Sequence, residues 1–278
     1  MKDRSFRVQG DGRRAILLLH GLTGAPAEMK AVGRVLHRQG FGLHAPLLAG
    51  HGGTEADLLN TGWRDWVASA REAYLELAGK VDEVYVAGIC AGGEIGLELC
   101  AEFPKIRAAA AYSPLFEYDG WNMPKITLGA PVIQAVANLP LVRRLSFVQP
   151  YPYGLKDPRL QAMAAKQLQS MIPGALERMP LGAMYQFYRL ARHLEQVASK
   201  IRTPTLIVHA REDDLADLRN AQRLRAALGG PSELVVLQDS YHMVHVDKEH
   251  VRVGELTAAF FAARSEAGAP AVRQAVDA

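Results

Sequence analysis

Short apolar segments alternate with longer amphipathic segments along most of the chain. The first clear pair is the apolar run Ala15–Leu19 followed by Glu28–Arg38, in which apolar residues recur at helical spacing. The other predicted strands are Phe41–Ala45, Glu83–Ala87, Ala108–Tyr112, Thr205–His209 and Leu234–Leu237, and the other predicted helices are Asp65–Leu77, Glu94–Glu102 and Glu249–Ala263. This order predicts an α/β protein with a mostly parallel, doubly wound sheet, in which sites form at the carboxyl ends of the strands.

The segment 115–200 interrupts this alternation. It is rich in proline, methionine and aromatic residues and predicts several helices and loops. Because it is much longer than an ordinary crossover, we predict that it is a helical cap over the carboxyl edge of the sheet. The predicted core then consists of residues 1–114 and 201–264, and the Ala-rich stretch 265–278 is predicted to be a flexible tail.

Composition excludes several classes of protein. The 278 residues are 49% hydrophobic and 22% charged, and the net charge is only +3, so we expect a globular protein that does not bind nucleic acid. The apolar stretches are too short for membrane insertion, and the N-terminus lacks the apolar core of a signal peptide, so we expect a cytoplasmic location. The two cysteines form neither a disulfide framework nor a metal site.

Cys90 stands at the centre of the sequence GICAGG, residues 88–93, between a predicted strand and a predicted helix. This is the G-x-S-x-G nucleophile elbow with cysteine in the serine position. The tight turn needs small residues on either side, and it places the central side chain at a helix N-terminus, where an anion is favoured. Cys100, ten residues later, is more simply a buried apolar side chain.

A candidate acid and a candidate base follow later strands. Asp213 and Asp214 come after the strand TLIVHA, and His242 comes after LVVL, so the order along the chain is nucleophile, acid, base. A histidine can take a thiol proton only if a carboxylate fixes its tautomer and orientation. Asp213 is preferred over Asp214, and His242 over its neighbour His245, but either aspartate could face inward.

The chain resembles the bacterial carboxylesterase and monoacylglycerol lipase branch of the α/β-hydrolase superfamily from about Arg14 to Phe261. The segments that carry the resemblance are HGLTGAPAEM, HAPLLAGHG, TGWRDW, VAGICAGG, HAREDD and SYHMVHVD. The resemblance implies an α/β-hydrolase fold with a helical cap after the sixth strand. It also implies that Cys90 is the nucleophile, Asp213 the acid and His242 the base, with the backbone amides of Leu22 and Ala91 as oxyanion-hole donors.

Cysteine in place of serine is the main departure from those esterases. The box GICAGG is instead similar to the nucleophile box of polyhydroxyalkanoate synthases, which transfer acyl groups from CoA thioesters through a cysteine. An acyl-cysteine forms without a large energy cost from a thioester but uphill from an oxygen ester. Cys90 therefore favours a thioester donor and transfer to an acceptor.

Three functions remain open on the sequence. The first is a cysteine-dependent acyltransferase or thioesterase that needs no cofactor and acts on a small acyl substrate, with acyl-CoA, a phosphopantetheine-linked acyl group or an acyl-carrier protein as candidate donors. The second is a carboxylesterase or lipase in which Cys90 replaces serine, naturally or by engineering. The third is a non-catalytic binding protein on the same scaffold.

The apolar residues of the predicted cap are candidates for an acyl pocket, since small-molecule pockets are mostly apolar. Side chains of this kind are also common in protein cores. The candidates are Trp121, Met123, Met184, Phe187 and Tyr188.

Overall fold

A seven-stranded sheet forms the centre of the molecule. The computed structural model describes residues 4–123, 136–137, 139–167 and 171–266. The strands of the described chain are β1 (Phe6–Val8), β2 (Arg14–Leu19), β3 (Gly42–Ala45), β4 (Glu83–Ile89), β5 (Ala109–Tyr112), β6 (Ser146–Val148), β7 (Arg178–Pro180), β8 (Thr205–Ala210) and β9 (Ser232–Leu237). The order in the main sheet is β1-β3-β2-β4-β5-β8-β9, and every pair is parallel except β1 with β3.

The described chain also forms helices, several of which pack against this sheet. Their bounds are α1 (Lys30–Arg38), α2 (Glu55–Leu59), α3 (Trp63–Ala78), α4 (Ala91–Glu102), α5 (Pro158–Lys166), α6 (Leu181–Val197), α7 (Arg219–Ala227) and α8 (His250–Ala262). α1 packs with α8, whereas α3 and α4 pack with each other and with α6. The fully buried rings of Phe41, Tyr85 and Phe261 contact one another in the core, with centroids 4.8 to 6.2 Å apart. The predicted α/β architecture is therefore confirmed.

The central strands are buried along their whole length, as expected for parallel strands covered by helices. All seven residues of β4 are buried, and so are five of the six in β2. These strands could be predicted because their sequences are continuous apolar runs. β1, α2 and α7 were not predicted, because they are short or carry many charged residues.

The interrupting segment contains both helices and strands. β6 and β7 pair as a small antiparallel sheet, which the expectation of helices and loops did not include. The segment leaves the main sheet after β5, so it follows the fifth strand of the described chain and not the sixth. The count differs because the described chain forms only one strand, the three-residue β1, before β2. The division into core and cap at 115–200 stays a prediction, and α6 packs against the core helices α3 and α4.

The C-terminal stretch begins close to the sheet. The Ser265 hydroxyl and the Glu266 backbone N–H both donate hydrogen bonds to Glu83, at 2.6 and 2.7 Å. The rest of the predicted tail, 267–278, lies outside the described residues. No helix in the described part of the chain is long and apolar enough to cross a membrane, and the cytoplasmic location stays a prediction.

Candidate active site

Cys90 occupies a strained turn between β4 and α4. Its φ of 52° and ψ of −124° lie in a region that residues other than glycine rarely adopt. The turn brings backbone segments so close together that only glycine fits: a Cβ on Gly88 would lie 2.4 Å from the backbone of Gly92. A Cβ on Gly92 would lie 2.2 Å from the carbonyl oxygen of Leu19. The glycines of the motif are thus required by close backbone approaches, and Cys90 is held at the N-terminus of α4.

His242 and Asp213 form a buried hydrogen-bonded pair. The Nδ1 atom of His242 lies 3.0 and 2.9 Å from the two carboxylate oxygens of Asp213. The backbone N–H groups of Leu215 and Ala216 donate to Asp213 Oδ1, each at 2.9 Å. These donors fix the carboxylate, which in turn fixes the imidazole ring.

The electrostatics of this pair favour its charged form. Burial lowers the pKa of His242, but the Asp213 carboxylate and the Cys90 thiol outweigh this and raise it well above its ordinary value. Burial raises the pKa of Asp213, but His242, His209 and the backbone donors outweigh it and lower the pKa below 3.8. An imidazolium facing a thiol is the arrangement that stabilises a thiolate.

Asp214 is the neighbour that could also have been the acid. Its Oδ2 accepts a hydrogen bond from the Gly154 backbone at 3.0 Å, and its Oδ1 accepts one from the His242 backbone at 3.3 Å. Burial and the charge of Asp213 raise its pKa to about 6. The carboxylate of Asp213 therefore contacts the imidazole ring of His242, whereas the carboxylate of Asp214 contacts the backbone N–H of His242.

Two further groups of this region were missed from the sequence. His209 lies inside β8, and its Nε2 donates to the Ala216 carbonyl at 2.9 Å and lies 3.4 Å from Asp213 Oδ2. Glu28 lies in the 3₁₀ turn Pro26–Met29, and its Oε1 accepts a hydrogen bond from the Gly21 backbone at 2.6 Å. Burial raises the pKa of Glu28 to about 7. Both residues lie among mostly apolar neighbours, so the sequence pattern did not identify them as site residues.

The two predicted oxyanion-hole residues belong to the loop after β2 and to the elbow itself. Leu22 belongs to the loop after β2 and lines a cavity beside Cys90, whereas Ala91 is the buried first residue of α4. His20 holds this loop: its Nε2 accepts from the Leu48 backbone at 3.2 Å, so its Nδ1 donates to the Gly21 carbonyl at 3.0 Å.

A mostly apolar cavity of about 270 Å³ opens on Cys90 and His242. Of the five predicted pocket residues, Met123 lines it. Trp121 is instead 59% exposed and donates its indole N–H to the Glu212 carbonyl. Met184, Phe187 and Tyr188 are buried on α6 in the core, and among the described residues they do not line the cavity. The pattern of the sequence could not separate these positions, because core and pocket both select large apolar side chains.

Other side chains complete the cavity wall. They include Phe147, Tyr153, Ile172, Leu176, Met179, Leu215 and Met243, together with Tyr118, Glu28 and His245. Burial and the nearby His242 lower the pKa of His245 to about 3, so it is neutral. No group of His, Cys, Asp and Glu suited to a metal ion occurs among the described residues.

The fold and this arrangement define an α/β hydrolase. The family model described as serine aminopeptidase S33 (Hydrolase_4) matches residues 10–249, and the chain belongs to that family. It is an enzyme of the esterase and lipase type within the superfamily, as the resemblance implied.

Individual relatives agree with this assignment. The chain is 26% identical over 253 residues to the thermostable monoacylglycerol lipase of Bacillus sp. (strain H-257), covering 91% of this chain and 92% of that protein. It is 24% identical to the carboxylesterase of Bacillus subtilis (strain 168), covering 88% and 91%. Among solved structures, the Paleococcus ferrophilus monoacylglycerol lipase has the same fold, with a TM-score of 0.78 at 17% identity and coverage of 95% and 100%.

Proposed function

We propose that this protein is an acyl-transfer enzyme in which Cys90 is the nucleophile, His242 the base and Asp213 the acid, with an acyl-cysteine thioester as the intermediate. The observation that carries the proposal is the strained backbone of Cys90, which presents the thiol to the cavity beside the buried pair of His242 and Asp213. Such a backbone is retained where its geometry serves a reaction.

The reaction follows from these positions. In the thiolate–imidazolium pair the proton of Cys90 already lies on His242, and the thiolate attacks the carbonyl carbon of the donor while the amides of Leu22 and Ala91 stabilise the oxyanion. The tetrahedral intermediate expels the leaving group, which takes the proton from His242. An acceptor, either water or another nucleophile, then gives its proton to His242, attacks the thioester and releases Cys90.

The chemistry of the cavity indicates the substrate class. Its wall is mostly apolar and suits a hydrocarbon acyl chain, and Met123 is one of the contacts. Because thiol-to-thioester exchange is nearly thermoneutral, we propose donors such as acyl-CoA or a phosphopantetheine-linked acyl group, on an acyl-carrier protein or free. The cysteine box similar to that of polyhydroxyalkanoate synthases supports the same donor class.

A second candidate function is hydrolysis of carboxylic esters with cysteine in place of serine. It is favoured by the two curated relatives, whose names are monoacylglycerol lipase and carboxylesterase. The third sequence-based reading, a non-catalytic binding protein, is less well supported, because a binding scaffold has no need for the hydrogen-bonded pair of His242 and Asp213.

The nucleophile is tested by intact-mass measurement after incubation with acyl-CoA and with p-nitrophenyl esters. We expect an acyl adduct on the wild type that is lost in Cys90→Ala and kept in Cys100→Ala, the matched control, since Cys100 is buried in the core. Turnover should fall by about a thousandfold or more in Cys90→Ala. An adduct that persists in Cys90→Ala would refute the assignment.

A separate experiment distinguishes the two functions. In Cys90→Ser, loss of transfer from acyl-CoA with little gain on esters supports the acyl-transfer enzyme. A gain of ester hydrolysis by orders of magnitude supports the carboxylesterase instead.

A further inference from the structure

Tyr118 brings a phenol hydroxyl to the cavity beside Cys90. It lies in the loop that follows β5, and its ring packs against Phe187 and Tyr188 with centroids 5.7 and 6.0 Å away. The side chain is only 2% exposed and lines the same cavity as Cys90. Its buried hydroxyl has no hydrogen-bond partner in the described structure. A buried donor without a partner is costly and uncommon, so this hydroxyl needs an explanation.

Glu94 lies behind the same two residues, four positions after Cys90 on α4. The side chain is fully buried. The backbone N–H of Leu115 approaches its carboxyl group, but neither oxygen completes a hydrogen bond. Burial, followed by the nearby Cys90, raises the pKa of Glu94 well above its ordinary value. Glu94 therefore keeps its proton and does not place a negative charge beside the sulfur.

The Tyr118 hydroxyl also keeps its proton. Burial raises its pKa well above 10.0, and Cys90, Tyr188 and Glu94 raise it further. The titratable groups that interact with Cys90 are thus His242, Tyr118 and Glu94, with Asp213 behind His242 and with Tyr188 and Glu195 further out. Of the three nearest groups, His242 is the one suited to exchange a proton with the thiol. Tyr118 is suited to donate a hydrogen bond without losing its proton.

We propose that Tyr118 is a further catalytic residue, whose hydroxyl donates a hydrogen bond to the sulfur of Cys90 and stabilises the thiolate. The inference rests on the proposed function, in which Cys90 is the reacting nucleophile. No proton leaves Tyr118: the thiol proton passes to His242, and the phenol only orients its O–H toward the anionic sulfur. Hydrogen bonds to ionised acceptors are the strong ones, so this contact gains strength as the thiolate forms.

The test measures the thiol pKa of Cys90 directly, from the rate of alkylation by iodoacetamide as a function of pH. A Cys100→Ala background removes the other thiol. We expect Tyr118→Phe to raise the thiol pKa by about one unit, which slows alkylation about tenfold at a pH below that pKa. Tyr153→Phe is the matched control, because it removes a tyrosine hydroxyl from the wall of the same cavity, and it should keep the wild-type profile. Identical profiles for Tyr118→Phe and Tyr153→Phe would overturn the proposal.

A second measurement applies even if Tyr118→Phe fails to fold. Replacement of Tyr118 by 3-fluorotyrosine keeps the hydroxyl and makes it a stronger donor, so the thiol pKa should fall. An unchanged thiol pKa in that protein would refute the hydrogen bond.

These results are distinguishable from a failure of the proposed function. If Cys90→Ala retains turnover, the nucleophile assignment fails, but the alkylation profiles still report whether Tyr118 contacts the thiol. If Cys90→Ala is inactive and Tyr118→Phe leaves the thiol pKa unchanged, the function stands and the role of Tyr118 falls. A merely structural role of Tyr118 would lower the amount of folded protein without moving the pH profile, whereas our proposal predicts a shifted profile and a lower kcat with little change in KM.

Discussion

Asp213 and Glu94 are both buried carboxyl groups, but the pKa of Asp213 is lowered and that of Glu94 is raised, so the first is charged and the second is neutral. Asp213 is held by His242 and by two backbone N–H groups, and its pKa is lowered. Glu94 is buried as deeply but completes no hydrogen bond, and its pKa is raised. The difference shows that partners decide the charge of a buried acid, since burial alone favours the neutral form of both. One carboxyl group can therefore support an imidazolium while the other stays neutral beside a thiol.

The largest effect is expected from removing the charge of Asp213. Asp213→Asn should lower kcat by about a thousandfold or more, because an amide in this position favours the wrong tautomer of His242. Steady-state kinetics measure the loss, and circular dichroism checks the fold. Asp214→Asn is the matched control, since that neighbour contacts only backbone N–H groups, and it should lose less than about tenfold. Equal losses in the two variants would contradict the assignment of Asp213.

The stability of Glu94→Gln tests whether Glu94 is neutral in the folded protein. The native state keeps a proton that the unfolded chain releases above about 4.5, so the stability of the wild type falls as the pH rises through 4.5 toward the raised pKa of Glu94. We expect Glu94→Gln to be more stable than the wild type at pH 8, with the difference shrinking as the pH falls toward 4.5. Urea unfolding at several pH values measures it. A difference that does not vary with pH would mean that Glu94 does not change its protonation on folding.

Glu28 is intermediate between Asp213 and Glu94, because it is buried and accepts one short hydrogen bond, from the Gly21 backbone. We expect smaller effects from its replacement. Glu28→Ala leaves the Gly21 N–H without an acceptor and loosens the loop that carries Leu22, so kcat should fall by about tenfold. Glu28→Gln retains an acceptor oxygen and should stay within about threefold at pH 6.

The pH dependence of stability separates these two variants further. The wild type should lose stability between pH 4.5 and about 7, because Glu28 titrates at about 7 in the folded protein. Glu28→Gln should lack this part of the dependence when both proteins are unfolded in urea. A wild-type slope that persists unchanged in Glu28→Gln would assign it to another group.

The sequence predicted the parts of the site that stand next to strong local signals. Cys90 was predicted because glycines flank it at an elbow, and His242 and Asp213 were predicted because each follows a buried strand. Tyr118, Glu94 and Glu28 were not found, since nothing local distinguishes a polar side chain that faces a cavity from one that faces solvent. The pocket candidates show the same limit: Met123 lines the cavity, whereas Phe187 is core.

By itself, the sequence determined the alternating architecture and the positions of Cys90, Asp213 and His242 after predicted strands, because buried parallel strands are continuous apolar runs and the elbow needs glycine at fixed spacing. Only the tertiary structure decided which aspartate meets the imidazole, since Asp213 and Asp214 are adjacent in sequence and differ in the direction in which their side chains leave the backbone. It also decided which buried acid is charged, because His242, which lowers the pKa of Asp213, comes from a segment distant in the chain, whereas Glu94 completes no hydrogen bond in the described structure.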